Sequence, residues 1–251
     1  MKTPINMKKM GKTQNIQRRQ ALTRLTKLAV IGAAGLLGPA GIPGLIQEAL
    51  AKGDLPALSG INSLQGSATI NGIPAKVGML VKPGDKVATG TTKGSFAIVV
   101  IGKDAYLLRE GTSVTFEDSP DKPGTLTQVL ISTGKLLSVF AKRTTTSGVT
   151  IRVQSATIGI RGTGCYIEIH PKRTYFCLCY GEAAIDGVGM DKTKVITTTH
   201  HESPVWLDES GGSMKVENTN FGSHSDDELI LLEKLTGREP PFVAMGLTGK
   251  Y

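Results

Sequence analysis

Short runs of alternating apolar and polar residues fill the chain from about residue 65 to residue 199. Alternation with period two is typical of β-strands that bury one face, and Gly, Pro and Asp between the runs indicate tight turns. Many short strands at this spacing predict an all-β fold of mainly antiparallel strands, arranged as a sandwich, a barrel or a solenoid-like stack. The predicted strands are 95–101, 105–109, 113–117, 126–132, 135–140, 149–154, 164–169, 174–180, 182–185 and 194–199.

One α-helix is predicted near the C-terminus, at about residues 226–236. Ser225 and Glu228 have the spacing of a capping box, in which each side chain bonds the backbone N–H of the other residue. Leucines then recur at helical spacing, and Gly237 is the residue type expected just after a helix. We therefore expect the leucine face of this helix to pack on the sheet.

The positive charge of the chain is concentrated in its first residues. The formal net charge is +8, yet residues 1–51 hold 8 of the 29 basic residues and 1 of the 21 acidic ones. A basic start, an apolar stretch at 28–46 and the small-residue sequence Ala49-Leu50-Ala51 have the layout of an export signal. Arg18-Arg19 resembles the pair of a twin-arginine signal. The nearly neutral remainder argues against a nucleic-acid partner.

Two interpretations of this segment stay open. Residues 1–51 are either a leader that is cleaved after Ala51 or an N-terminal anchor that crosses the membrane through 28–46. Both place the rest of the chain in the periplasm, and only the anchor would contact the membrane. Residues 52–64 are expected to be a linker.

Three segments resemble, in their order and spacing, the FecR domain family. They are Leu-Val-Lys-Pro-Gly-Asp-Lys-Val-Ala-Thr-Gly at 80–90 with Gly-Ser-Phe-Ala at 94–97, Val-Gln-Ser-Ala-Thr-Ile-Gly-Ile-Arg-Gly-Thr at 153–163, and Tyr-Gly-Glu-Ala at 180–183. The resemblance covers residues 65–187 and leaves 188–251 as a C-terminal extension. It implies an exported β-domain that senses or binds an envelope protein or a small ligand.

The best-known members of that family relay the occupancy of an outer-membrane transporter to a cytoplasmic anti-sigma segment. Here about 27 residues precede the apolar stretch, which are too few for a folded anti-sigma domain. A stand-alone periplasmic sensor or binding module, with a role in signal transduction, is therefore the expectation that the resemblance supports.

The segment 159–163 predicts a sharp bend between two strands. Gly159 and Gly162 permit a left-handed backbone or a close approach of another chain segment. Arg161 is expected to fix the bend by donating to carbonyl or carboxylate oxygens, and Thr163 completes the motif. We interpret these four residues as architectural.

All three cysteines lie within residues 165–179. Cys177 and Cys179 are two positions apart on a predicted strand, so both thiols point to the same face. A hairpin with three loop residues centred on Lys172 would place Cys165 opposite Cys179. All three thiols would then share one face, although a register change of one residue would destroy this arrangement.

Three interpretations of the cysteines compete. An exported protein meets an oxidising compartment, so Cys165 and Cys179 could form a disulfide. Alternatively, thiolates with His200, His201 or His224 suit zinc, copper or iron, or haem. In the third interpretation the cysteines are small buried hydrophobes. Only one of the adjacent histidines is expected to join a shared site, unless the pair lies in a loop.

A subset of FecR-domain proteins is similar to this chain over a longer stretch. The similarity runs through 174–181, His200-His201-Glu202 and 224–242. It favours Cys177, Cys179, His200, His201 and His224 acting together as metal ligands.

No motif of a hydrolase, a metalloprotease or a nucleotide-binding enzyme occurs in the sequence. Both cysteines of the C-x-C pair lie in the middle of a strand, which is a poor position for a nucleophile. We therefore expect a protein without enzyme activity. A sensor, a metal- or haem-binding protein and a structural envelope protein are the functions left to distinguish.

Overall fold

The computed structural model describes residues 42, 44, 57–143, 148–210 and 212–249, which belong to one compact unit, Ala40–Tyr251. Sixteen strands join in one hydrogen-bonded sheet, and two helices follow the last strand. The strands are β1 Gly60–Gln65, β2 Ala68–Ile70, β3 Ile73–Pro74, β4 Lys86–Thr89, β5 Phe96–Ile101, β6 Asp104–Leu108, β7 Ser113–Asp118, β8 Leu126–Thr133, β9 Lys135–Val139, β10 Val149–Arg152, β11 Ala156–Ile160, β12 Gly164–Ile169, β13 Arg173–Gly187, β14 Lys194–Thr198, β15 Val205–Ser210 and β16 Ser213–Asn218. The helices are α1 Asp226–Leu235 and α2 Pro241–Ala244.

The sheet follows the order β1-β5-β6-β9-β12-β13-β11-β10-β8-β7-β4-β2-β3, with β14 and β15 also paired to β13 and β16 paired to β15. Neighbouring strands are antiparallel, except for the parallel pair β8 and β10. The predicted fold class, all-β with a C-terminal helix, is confirmed.

Strand β5 is entirely apolar and fully buried, because both faces of the sheet are covered there. Val99 and its alternate neighbours pack in a cluster that we call the sheet core, together with Tyr106 and Phe116. Ile98 and its alternate neighbours pack in a second cluster, the helix core, which includes Leu229 and other residues of α1. In β5, alternate side chains therefore point into the sheet core and the helix core, and neither face of the strand is in contact with water.

Strand β1 forms backbone hydrogen bonds with the segment that follows β3. Ile61 N donates to Met79 O at 2.8 Å, and Gly78 N donates to Ile61 O at 2.8 Å. Gly60 has a φ of 132°, and a Cβ there would lie 2.4 Å from Met79 O. The predicted linker 52–64 is therefore wrong for its last residues, because residues 60–64 pair with β5 as part of β1.

Helix α1 has the predicted capping box, with Ser225 N donating to Glu228 Oε2 at 3.0 Å. Arg109 Nη2 lies 2.7 Å and 2.9 Å from the two carboxylate oxygens of Glu228, and so fixes the helix start to the end of β6. At the other end, buried Glu233 accepts from the Tyr180 hydroxyl and pairs with Arg238 Nε at 2.6 Å. The leucine face contacts the sheet, as predicted.

The structure contains several strands that the sequence analysis did not predict, notably β11, β15 and β16. The strands predicted at 174–180 and 182–185 form one strand, β13, which continues through Gly181 with a φ of 94°. The expected boundary at residue 187 does not divide the sheet, because β14 and β15 both pair with β13.

The export signal or anchor predicted at 1–51, including 28–46, lies outside the described residues apart from positions 42 and 44. Within the part of the chain that the structure describes, no helix is long and apolar enough to cross a membrane.

Candidate metal centre

Two cysteines of β13, Cys177 and Cys179, lie beside a bulge on the face covered by α1. The register between β12 and β13 shifts between Gly164 and Cys165, which leaves Cys179 as the extra residue on β13. An extra residue on one strand lets two consecutive side chains point the same way. Cys177, Cys179 and Tyr180 consequently all lie in the helix core, and both cysteines are fully buried.

Of the three interpretations of the cysteines, a disulfide between Cys165 and Cys179 does not fit this structure, in which all three cysteines are free. His170 N donates to Arg173 O at 3.0 Å, so the hairpin turns through two residues rather than three centred on Lys172. The pairing is therefore offset by one residue, and Cys165 opposes the residue before Cys179. A one-residue offset reverses the face, so the Cys165 side chain lies in the sheet core.

The two adjacent histidines lie in the loop after β14. Glu202 Oε2 accepts the backbone N–H groups of Thr199 at 2.7 Å and of His200 at 2.9 Å, which closes this loop. His201 has a φ of 58°, and its N–H donates to Cys179 O at 3.0 Å. This left-handed turn directs the His201 ring to the thiols of β13.

Four side chains converge on one point between β13, this loop and the segment before α1. His201 Nδ1 lies 3.5 Å from Cys177 Sγ, and His224 Nε2 lies 3.3 Å from both Cys179 Sγ and His201 Nδ1. These four ligand atoms all lie within 4.8 Å of one another, and all four residues are buried. The structure thus brings together four of the five ligands predicted from the sequence.

The far nitrogen of each histidine has its own hydrogen-bond acceptor. His201 Nε2 lies 3.1 Å from Asp226 Oδ1, and His224 Nδ1 lies 3.0 Å from Gly222 O. A carboxylate and a carbonyl only accept, so each of these nitrogens carries the proton. In the neutral rings, His201 Nδ1 and His224 Nε2 therefore present lone pairs to each other across 3.3 Å. An outer carboxylate or carbonyl on the remote nitrogen is the arrangement typical of metal-binding histidines.

The spacing suits one ion in a tetrahedral site. Bonds of about 2.0 Å to nitrogen and 2.3 Å to sulfur give ligand-to-ligand distances of roughly 3.3–3.8 Å. Three of the six contacts, at 3.3 Å, 3.3 Å and 3.5 Å, lie in this range, and all six are within 4.8 Å. Haem does not fit, because its porphyrin occupies four positions around iron and leaves only axial ligands on opposite sides.

Aromatic rings form the wall of the cluster. Tyr166 stacks on His224 with a ring-centroid distance of 4.6 Å and an interplanar angle of 17°. Phe221, which is half-buried, covers the cluster at 4.5 Å from the His201 ring and 4.7 Å from the His224 ring. Sequence reasoning did not select either aromatic residue.

The pKa values of the two thiols are shifted in opposite directions. Burial raises the pKa of Cys177, but its interactions with Cys179, His201 and His224 outweigh burial and hold the pKa well below its usual value. Burial raises the pKa of Cys179 well above its usual value, and the charge at Cys177 raises it further. One thiolate beside two histidines is an environment in which a cation gains stability.

His200 lies beside the four-ligand cluster rather than in it. Its Nε2 atom is 2.8 Å from Asp226 Oδ1, the oxygen that also accepts from His201. Asp226 Oδ2 accepts from Gly249 N at 2.9 Å. Burial raises the pKa of Asp226, but the hydrogen bonds from His200, Gly249 and His201 lower it overall. The sequence analysis did not select Asp226.

The predicted bend at 159–163 is present between β11 and β12, where Gly162 has a φ of 65°. Gly159 lies within β11, and Thr163 is fully buried. Arg161 Nη1 lies 3.5 Å from Glu182 Oε1, with the Arg161 side chain 79% exposed. An ion pair this exposed adds little to the stability of the bend.

Comparison with solved structures finds two crystal structures of proposed anti-sigma factors from Parabacteroides distasonis, both 12% identical to this chain. One has a TM-score of 0.42 and covers 54% of this chain and 60% of its own; the other has a TM-score of 0.36 and covers 57% and 59%. The chain thus spans about three fifths of the length of these proteins. No protein-family model matches it, and no curated protein matches it. A likeness this distant assigns neither family nor function.

Proposed function

We propose that this chain is an exported β-module that binds one transition-metal ion through Cys177, Cys179, His201 and His224. The observation that carries the proposal is the convergence of their four ligand atoms within 4.8 Å in a buried cluster. Two thiol sulfurs and two imidazole nitrogens directed at one point are a ligand set that suits a soft or borderline cation.

The donor set favours zinc. Two sulfur and two nitrogen ligands in a tetrahedron suit zinc, whereas copper(II) prefers flatter sites and magnesium or calcium prefer oxygen. Four protein ligands leave no position for water, which is typical of a structural rather than a catalytic zinc site. An ion here would join β13, the loop after β14 and the start of α1, three segments separated in sequence.

A wider role in envelope sensing rests on the resemblance to FecR domains. In its support, the Lys82-Pro83-Gly84-Asp85 segment builds a tight turn, with Lys82 N donating to Asp85 Oδ2 at 2.9 Å and Asn71 Nδ2 donating to Asp85 Oδ1 at 2.8 Å. Such a turn explains why that motif contains Gly and Asp. We propose a periplasmic sensor or binding module that the metal centre stabilises, with an envelope protein or a small molecule as its partner.

Metal analysis of the purified full-length chain tests the metal-binding proposal. We expect about one zinc per chain after production in zinc-supplemented medium, and cobalt loading should give the visible absorption of tetrahedral thiolate-bound cobalt(II). Cys177→Ser and His224→Ala should lower metal content, whereas the matched control Cys165→Ser should leave it unchanged. A wild-type chain that stays folded without metal, and takes up none on addition, would refute the proposal.

Localisation is tested separately. Fractionation of producing cells, followed by N-terminal sequencing of the envelope-associated chain, should give a mature start near residue 52. An intact N-terminus on membrane-bound protein would favour the anchor, and intact chain in the cytosol would contradict export.

A further inference from the structure

We infer that Cys177 and Cys179 are a redox pair whose oxidation to a disulfide expels the bound metal ion, an inference that rests on the proposed metal-binding function. The two sulfur atoms lie on one face of β13 and belong to a group whose ligand atoms are all within 4.8 Å of one another. Positions two apart on a strand are separated by roughly 6.6 Å along its axis, so forming the sulfur–sulfur bond of roughly 2.05 Å requires the backbone to contract at the bulge beside Cys179 as well as both side chains to rotate.

The pair has no competing thiol among the described residues, and the sequence contains only one further cysteine. Cys165 packs in the sheet core, on the opposite face of the sheet from Cys177 and Cys179. The sheet itself separates Cys165 from the cluster, so it cannot exchange with either partner while the fold is intact. Oxidation therefore has one intramolecular product.

The Phe221 ring lies 4.5 Å from the His201 ring and 4.7 Å from the His224 ring and is half-buried, and Ser223 in the same segment is exposed. Ser223 has a φ of 72°, a left-handed backbone that is unfavourable for a residue other than glycine. We expect local opening of this segment to expose the two buried thiols without unfolding of the sheet.

The oxidant is a small-molecule disulfide, and the reaction balances with it. One thiolate attacks the disulfide and forms a mixed disulfide, which releases the first small thiolate. The second cysteine thiolate then attacks the protein sulfur of the mixed disulfide and releases the second small thiolate. Two cysteine thiolates are oxidised, one external disulfide is reduced, and the metal leaves as a divalent cation because two of its four ligands are lost.

Metal binding and the Cys177–Cys179 disulfide exclude each other, because the disulfide consumes both sulfur ligands. Bound metal protects the thiolates from oxidation. When metal is scarce they lose this protection, and an oxidising compartment then favours the disulfide. The module would then report metal supply and thiol redox state together through one pair of residues.

The test uses full-length chain loaded with zinc and then exposed to oxidised glutathione. A chromophoric chelator measures zinc release, and peptide mapping by mass spectrometry locates any disulfide. We expect about one zinc released per chain, in step with a Cys177–Cys179 disulfide, and full zinc rebinding after reduction. Cys165→Ser should behave like wild type, and Cys179→Ser, loaded with zinc as far as it binds, should form a glutathione adduct without an internal disulfide.

The outcomes separate the two ideas. Zinc that stays bound while both thiols resist oxidation overturns the redox pair and leaves metal binding intact. A disulfide that involves Cys165 also overturns it. A reduced, folded chain that binds no zinc overturns the proposed function. It then also overturns the inference that oxidation of this pair expels a bound metal ion.

Discussion

His201 Nε2 lies 3.1 Å from Asp226 Oδ1, so the first residue of α1 fixes the ring whose other nitrogen faces the two cysteines. The same oxygen accepts from His200 at 2.8 Å. Asp226 therefore connects the helix start, the histidine loop and the ligand cluster. Outer carboxylates of this kind orient the ring and raise its basicity as a ligand.

Replacing this carboxylate should weaken metal binding without abolishing it. We expect Asp226→Asn to lower zinc affinity by roughly 10–100-fold, the usual effect of losing an outer-shell partner. Competition with a chelator of known affinity measures the change. Asp227→Asn is the matched control, because Asp227 is exposed and adjacent on the same helix. Equal effects of the two substitutions would show that the general charge at the helix start, and not this contact, matters.

Metal removal should destabilise the whole unit, because a ligand that binds only the folded state stabilises it. At a free metal concentration of 1,000 times Kd this stabilisation is about 4 kcal/mol. For a folded unit of this size, that corresponds to a fall in Tm of roughly 8–16 °C on adding a strong chelator. Calorimetry with and without chelator checks the prediction. Cys177→Ser should have a low Tm that chelator hardly changes; a wild-type Tm equally insensitive to chelator would contradict a stabilising ion.

The ion pair between Arg109 and Glu228 should matter more than the exposed pair at the bend. The Arg109 and Glu228 side chains are 22% and 8% exposed, and removing the arginine leaves a nearly buried carboxylate. We expect Arg109→Ala to lower the free energy of unfolding by about 2–4 kcal/mol. Arg161→Ala, whose partner Glu182 is 43% exposed, should cost less than about 1 kcal/mol. Urea unfolding of the two variants makes the comparison, and equal losses would contradict the assigned roles.

Substitution of two glycines by alanine can distinguish the cost of backbone strain from the cost of a steric clash. Gly60 and Gly72 both have positive φ, but a Cβ at Gly60 meets Met79 O at 2.4 Å, whereas one at Gly72 meets nothing within 4 Å. Gly72→Ala should therefore cost only about 1–2 kcal/mol of backbone strain. Gly60→Ala should cost more, because it also forces β1 away from the segment after β3. Thermal unfolding and hydrogen exchange at the Ile61 amide measure both effects; similar losses would mean that the contact with Met79 yields easily.

The sequence was sufficient for features that depend on local chemistry. The spacing of Ser225 and Glu228 predicted the start of α1 correctly, because a capping box is completed within one turn. The shared face of Cys177 and Cys179 followed from the two-residue period of a strand. These inferences needed no knowledge of distant parts of the chain.

Features that depend on register or on distant loops were not predictable in the same way. The position of Cys165 depended on whether the hairpin near Lys172 had two or three loop residues, and one residue reversed its face. Asp226 became recognisable as a ligand-supporting residue only when the helix start was placed against the loop of His200 and His201. Strand β1 was hidden because its partner, β5, lies more than thirty residues away.

Strand β13 borders four others: β12 and β15 along its first part, then β11 and β14 along its second. Gly181 marks the change of neighbours, two residues after Cys179. Cutting the chain here would separate both halves of the sheet at once. Circular permutation or domain insertion should therefore fail within β13 and succeed at an exposed turn such as the one between β2 and β3.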